Sequence, residues 1–247
     1  MHHPGSGPLL GPRIATVCAL AILVPSLAGA AEKAPLVFSA IGFEELEYRF
    51  GDDTDLVTWD GDASIGTDED KLRLRSKGEY AFDPRAFEKL ETQLLYQSLL
   101  TDFFDVKLGV RADTPENEDD RLYGVLGIQG LAPQWLEVDA DFFVNTEGDA
   151  SLRLDTEYEL LLTNGLILVS SLEFDIALSD DREIGVGRGL SSGELGFRLS
   201  YDLYDRTFSP YVGIIWKRLF GDTGDLAQEE GEDDDAFFLV VGVRLLF

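Results

Sequence analysis

Three residue types that carry much of protein chemistry are nearly missing. The 247 residues include one cysteine, one methionine and two histidines. These are Met1, His2, His3 and Cys18, all near the start of the chain. Beyond them no imidazole is present to act as a base near neutral pH. Ser–His–Asp and Cys–His arrangements are thereby excluded, as are disulfides and soft-ligand metal centres. Positive charge is scarce too: 20 Lys and Arg stand against 47 Asp and Glu, a formal net charge of −27. Such a balance repels nucleic acid and anionic lipid and attracts cations. One long apolar run exists, IATVCALAILVPSLAGA at 14–30. Arg13 precedes it, and Ala28 and Ala30 give it the small-residue ending of a secretory signal cut before Ala31. The run is slightly short for a membrane span. No later stretch is long enough for a transmembrane helix.

What replaces long runs is alternation. In KLRLRSKGEYAF (71–82), Leu72, Leu74 and Tyr80 alternate with Lys71, Arg73, Arg75, Lys77 and Glu79. In WLEVDADFFV (135–144), Leu136, Val138, Ala140, Phe142 and Val144 alternate with Glu137, Asp139 and Asp141. In SLRLDTEYEL (151–160), Leu152, Leu154, Tyr158 and Leu160 alternate with Arg153, Asp155, Glu157 and Glu159. Period two is the signature of a strand with two unlike faces. About twelve such segments recur, near 38–50, 55–65, 70–80, 87–99, 102–112, 121–131, 135–145, 150–162, 165–178, 193–203, 209–219 and 236–247. A tilted strand crosses a bilayer in roughly 9–11 residues. An even count, these lengths and this alternation predict an all-β, antiparallel, up-and-down transmembrane barrel of about 12 strands in the outer membrane. A soluble sandwich or lipocalin-like barrel shares the period, but it places apolar side chains inward, and dense charge of both signs fits a wet lumen better.

The connections also alternate. GTDED (66–70), LLTD (99–102), LAPQ (131–134), LTNG (162–165) and YDLYDRTF (201–208) form one set. GDDTD (51–55), AFDPRA (81–86), DTPENEDDR (113–121), NTEGD (145–149), SDDREIGVGRGLSS (179–192) and GDTGDLAQEEGEDDDA (221–236) form the other, which holds the three longest. Short periplasmic turns and long outer loops are the expected asymmetry. The organisation expected is a cleaved signal at 1–30, a short periplasmic segment at 31–42 and a barrel over 43–247. GVGRGLSSG reads as a flexible outer loop, lacking the Lys and helix of a phosphate loop. DDTDLVTWDGD has Asp spacing loosely like a calcium loop, without the closing Glu.

Several long segments resemble copper resistance protein B: LGIQGLAPQWLEVDADFFV (126–144), LDTEYELLLTNGLIL (154–168), GLSSGELGFRLSYDL (189–203) and the stretch from Ser209 to Phe247. LEYRFGDDTDLVTWDGDA (46–63) and TQLLYQSLLTDFFDVKLGVRAD (92–113) extend the resemblance over nearly the whole chain from about residue 43. It implies a bacterial outer-membrane barrel that binds copper and takes part in copper resistance and homeostasis in a Gram-negative cell. It also implies copper ion as the bound species and a periplasmic copper protein as a partner. Many members carry a Met- and His-rich segment before the barrel. Here that interval is AEKAPLVFSAIG, with neither residue.

Candidate ligands are therefore oxygens, which suit hard cations and accept Cu(II). Alternation places Glu45, Glu47, Asp60, Glu137, Asp139, Asp141, Glu157 and Glu159 on the polar face, and these are the candidate metal-binding carboxylates. Glu91, Asp155, Glu173, Asp175 and Glu194 share that face with Arg49, Arg73, Arg75, Lys107, Arg111, Arg153, Arg198 and Arg244. Two readings stay open: a salt-bridge network holding the barrel's shape, and a cation path with Glu137, Asp139 and Asp141 as an unpaired group. The outer loops are the second candidate, with eight acidic residues from Asp222 to Asp235 and five from Asp113 to Asp120. They could attract divalent cations or bridge through them to lipopolysaccharide phosphates beside the outer-membrane lipid. The expected activity is non-enzymatic. A general cation-permeable porin and a non-conducting structural barrel are the rival readings.

Overall fold

The computed structural model describes residues 35–51, 54–82, 86–114 and 120–247, without the side chains of Glu88 and Glu230. The expected signal at 1–30 and most of the acidic residues at 113–120 lie outside them. Twelve strands follow in order: β1 (Phe38–Phe50), β2 (Leu56–Gly66), β3 (Asp70–Ala81), β4 (Ala86–Thr101), β5 (Phe104–Asp113) and β6 (Arg121–Ala132), then β7 (Leu136–Asn145), β8 (Ala150–Leu161), β9 (Leu166–Ala177), β10 (Gly189–Tyr201), β11 (Phe208–Leu219) and β12 (Asp235–Leu246). Each strand pairs antiparallel with its chain neighbours, and β12 returns to β1, closing the barrel. Closure is sealed where Phe247 N–H donates to Ile41 O at 2.8 Å and Ile41 N–H to Phe247 O at 3.0 Å. A closed sheet leaves no row of unpaired backbone groups facing lipid.

The two faces settle which side is inside. Lys107 is 0% exposed, Glu91 and Gln93 1%, and Glu47 3%. Leu72, Leu74, Leu108, Leu126, Leu239 and Val241 are all exposed. Charge is thus enclosed and apolar surface displayed, the reverse of a soluble barrel. A predominantly apolar exterior of this kind suits a lipid surrounding. Aromatics gather at its edges. Phe50, Phe82 and Phe87 lie at the rim of the long loops, the expected outer end, and Phe103, Trp135, Tyr204 and Phe247 at the rim of the short turns, the expected inner end, all exposed. Such girdles suit the membrane–water boundary, where an amphipathic ring is half wetted.

The structure departs from sequence expectation at several points. β1 spans the segment read at 38–50 and opens at Phe38, paired with Gly66, so residues 38–42 belong to the barrel wall and not to the periplasmic segment expected at 31–42. The segment resembling a calcium loop is strand β2 from Leu56 onward. The glycine-rich stretch read as an outer loop enters β10 at Gly189. The last acidic loop contains a helix, α1 (Gly221–Glu230). Asp222 in its first turn complements the positive end of the helix dipole. Gly231, at φ 89°, ends it by donating its N–H to Gln228 O at 3.2 Å. The lumen wall is not polar throughout. Leu56, Ala81, Tyr211, Ile215, Phe238 and Val240 form one buried cluster, and Leu95, Val125 and Phe143 another.

Candidate functional site

The barrel register lines up side chains that lie far apart in sequence. Asp139 on β7 faces Asp155 on β8, which faces Glu173 on β9, which faces Glu194 on β10. Four carboxylates thus occupy one row on adjacent strands. Like charges directly opposite are destabilising, so the row requires compensation. Lys77 Nζ reaches across from β3 to Asp155 at 3.3 Å and Glu173 at 3.4 Å, and also holds Asp60 at 3.1 Å. Arg75 pairs with Asp139 at 3.2 Å and Asp60 at 2.9 Å. Arg49 pairs with Glu194 at 3.0 Å.

Other layers are built the same way. Glu47 accepts from Arg49 Nε at 2.7 Å, Arg198 Nε at 3.1 Å and Tyr211 O–H at 2.9 Å. Arg198 also pairs with Glu45 at 2.7 Å. Nearer the outer mouth, Glu91 lies between Arg153 and Arg111, each at 3.0 Å. Both guanidinium groups stand over the Phe143 ring, at 4.5 Å and 5.5 Å from its centroid, adding cation–π attraction. Toward the inner end, Arg244 holds Glu157 at 2.8 Å and Glu159 at 2.9 Å.

All eight candidate carboxylates therefore sit on the lumen side, but they do not converge. Among the described residues no group of three or more His, Cys, Asp or Glu is arranged to hold a metal ion. The expected unpaired trio of Glu137, Asp139 and Asp141 is corrected. Lys107 Nζ bonds Asp139 and lies 2.8 Å from Asp141. Glu137 alone makes no ion pair with the described residues, and it faces Glu157 in register. The reason is Gly127 on β6, which stands between Lys107 and Asp141 in the same row. A Cβ there would overlap Asp141 Oδ1. The missing side chain is the gap through which the ammonium reaches the carboxylate two strands away. Glu44 joins the lumen against expectation. A register shift between Phe43 and Glu45 brings Glu44 and Glu45 to the same cavity, an arrangement strict alternation forbids.

Two cavities of about 450 Å³ and 440 Å³ occupy the lumen. The inner one is lined by ten carboxyl-bearing residues, among them Glu44, Glu137, Glu157 and the whole four-membered row, against four basic ones. The outer one is closer to balance, with Arg111, Arg121 and Arg153 in its wall. Ser179, Asp181, Ile184 and Val186, from the loop at 178–188, line the outer cavity. Arg121 on β6 bonds Asp181 and donates to Glu183 at 3.1 Å. Gly187 N–H donates to Thr223 Oγ1 on α1 at 3.0 Å, joining the two outer loops.

Comparison with known proteins agrees with this architecture. NanC porin superimposes with a TM-score of 0.52 at 15% identity, covering 84% of this chain and 99% of its own, and shows the fold. Copper resistance protein B of Escherichia coli is 39% identical over 204 residues, 83% of this chain and 68% of its own. The homolog from Pseudomonas syringae pv. tomato is 38% identical over the same shares. The profile of the copper resistance protein B precursor family matches residues 37–247, the entire barrel, and the chain belongs to that family.

Proposed function

We propose that this barrel takes part in copper homeostasis at the outer membrane of a Gram-negative cell, without catalysis, by admitting and weakly holding cations in its lumen. The observation that carries this reading is the row Asp139, Asp155, Glu173 and Glu194. It runs through the acidic inner cavity and offers carboxylate oxygens at successive steps. With no imidazole, thiol or thioether in the barrel, copper would be held as Cu(II) on oxygen. Weak, repeated sites favour passage, because an ion must leave as readily as it enters. The acidic outer loops raise the local cation concentration and, through divalent cations, contact lipopolysaccharide. A periplasmic copper protein is the partner at the inner mouth, and residues 1–30 are the leader removed on export.

The test is Cu²⁺ binding to refolded barrel, comparing wild type with Asp155→Asn/Glu173→Gln. Binding that weakens about tenfold, or about 1.4 kcal/mol, supports the reading. Wild-type binding that the variant matches, or that does not exceed the binding of a carboxylate-poor control barrel, overturns it. The extensive ion pairing favours a second reading, a structural barrel with its charges locked together. Absence of conductance from planar bilayers holding wild-type barrel would favour that one.

A further inference from the structure

The two cavities share only four lining residues: Glu79, Lys89, Glu173 and Glu194. The four are two cross-strand pairs. Glu79 on β3 faces Lys89 on β4, and Glu173 on β9 faces Glu194 on β10. In a closed ring of twelve consecutive strands, β3 and β4 stand opposite β9 and β10. The shared residues therefore form a neck where the outer cavity passes into the inner one.

Their charges are not equivalent. Glu79 pairs with Lys217 at 3.5 Å, Glu173 with Lys77 at 3.4 Å and Arg153 at 3.6 Å, and Glu194 with Arg49 at 3.0 Å. Lys89 makes no ion pair with any described residue. Each of the three carboxylates is held by a basic neighbour, whereas the Lys89 ammonium lies within electrostatic reach of Glu79, Glu91 and Glu173 but is held in contact by none of them, so it remains available to a passing ion. A fixed charge in a constriction sets which ions cross it.

We propose that Lys89 is the selectivity-determining residue of the lumen, a cationic barrier between an outer and an inner cavity. This rests on the reading that ions pass through the barrel. Its position and its lack of an ion pair separate it from Lys107, whose ammonium is consumed by Asp139 and Asp141 and which holds the wall together. The barrier opposes every cation at the neck, where Glu173 and Glu194 begin the carboxylate row, so Asp155 and Asp139 fill only with ions that have crossed.

The experiment is single-channel recording in planar bilayers with Lys89→Gln, and with Lys89→Cys in a chain whose Cys18 is replaced by Ser. Removing one charge about 7 Å from the path, in a water-like dielectric, corresponds to roughly a threefold rise in K⁺ conductance. The reversal potential in a KCl gradient should move toward K⁺. A cationic methanethiosulfonate on the introduced thiol should restore the low conductance, and an anionic one should raise it further. The Lys89→Cys arm also covers a folding defect, since reversal by reagent requires an intact barrel. If wild type conducts and Lys89→Gln matches it in conductance and reversal potential, Lys89 has no such role although ions still pass. If neither wild type nor variant conducts, the passage reading fails and the role of Lys89 fails with it. A silent wild type beside a conducting Lys89→Gln supports the barrier in its strongest form.

Discussion

Lys107 is the side chain whose loss has the most sharply defined consequence. It is fully buried and lies between Asp139 and Asp141. Lys107→Met keeps the apolar stem and deletes the ammonium. Asp139 retains Arg75 at 3.2 Å, but Asp141, 4% exposed, loses its ion pair. Breaking a buried pair from one side typically costs about 3–5 kcal/mol, because the remaining charge is stranded. Since one carboxylate keeps a partner, the expectation is the lower end, about 3 kcal/mol. With a urea m-value of about 3 kcal/mol per molar, the unfolding midpoint in lipid vesicles should fall by about 1 M, read from tryptophan emission. Lys107→Met/Asp139→Asn/Asp141→Asn removes both halves of the pair and should recover most of the loss. Gly127→Ala should mimic the single variant, because its Cβ forces Asp141 away from the ammonium. Combined with Lys107→Met it should add little, as both sever one contact. A single variant within about 0.5 kcal/mol of wild type, or a triple variant no better than the single one, would show that Lys107 is solvated and that the network does not hold the wall.

Two further outcomes follow from close approaches of the backbone. Gly78→Ala places a Cβ inside the space of the Trp59 ring, whose Nε1–H donates to Ser76 Oγ at 3.2 Å. The indole must leave Gly78, which should cost about 1–3 kcal/mol and alter the emission maximum in vesicles. Gly187→Val drives a Cβ against Asp222 Cβ, which separates residues 178–188 from α1. Limited proteolysis should then cut that loop several times faster, while the barrel keeps its resistance to unfolding in cold detergent.

Most of the fold is legible in the sequence because period two reports it directly. The segment read at 135–145 from Glu137, Asp139 and Asp141 is β7 in outline, and the lumen face of β8 is the set Arg153, Asp155, Glu157 and Glu159. What the period cannot report is height. Whether Asp139 lies beside Asp155 depends on the offset between two strands, which the turn sets. Whether Lys107 reaches Asp141 depends further on Gly127 lacking a side chain in the row between them. The sequence signal for that is present, a glycine on the polar face of LYGVLGIQG flanked by charge on both neighbouring strands, but it has meaning only once the register is known. Helix α1 is hard to read for a different reason. Gly, Asp and Glu dominate it, a loop-like composition, and its order rests on burying Thr223 and Ala227 against the wall and the neighbouring loop, a tertiary effect that overrides propensity. Phe238 and Val240 mislead in the opposite sense. Both are apolar on the inward face of β12, because the outer part of the lumen is packed with side chains there.

The pairing of the lumen charges constrains what the proposed cation path can do. A divalent ion approaching Asp155 or Glu173 does not find a free carboxylate but one already bound to Lys77. It must displace that ammonium, and the energy it gains on oxygen is reduced by the energy of the pair it breaks. Displaced Lys77 then keeps Asp60, which holds it at 3.1 Å, so the cation is not left stranded and the exchange is reversible. A site built this way binds less tightly than the same carboxylates would alone, and it leaves the ion free to move to the next member of the row. The ion pairs that fill the lumen and the weak cation affinity expected of a conducting path thus have one origin. The structural and the transport readings differ in whether Lys77 can be exchanged on the time scale of ion entry, and not in which residues line the wall.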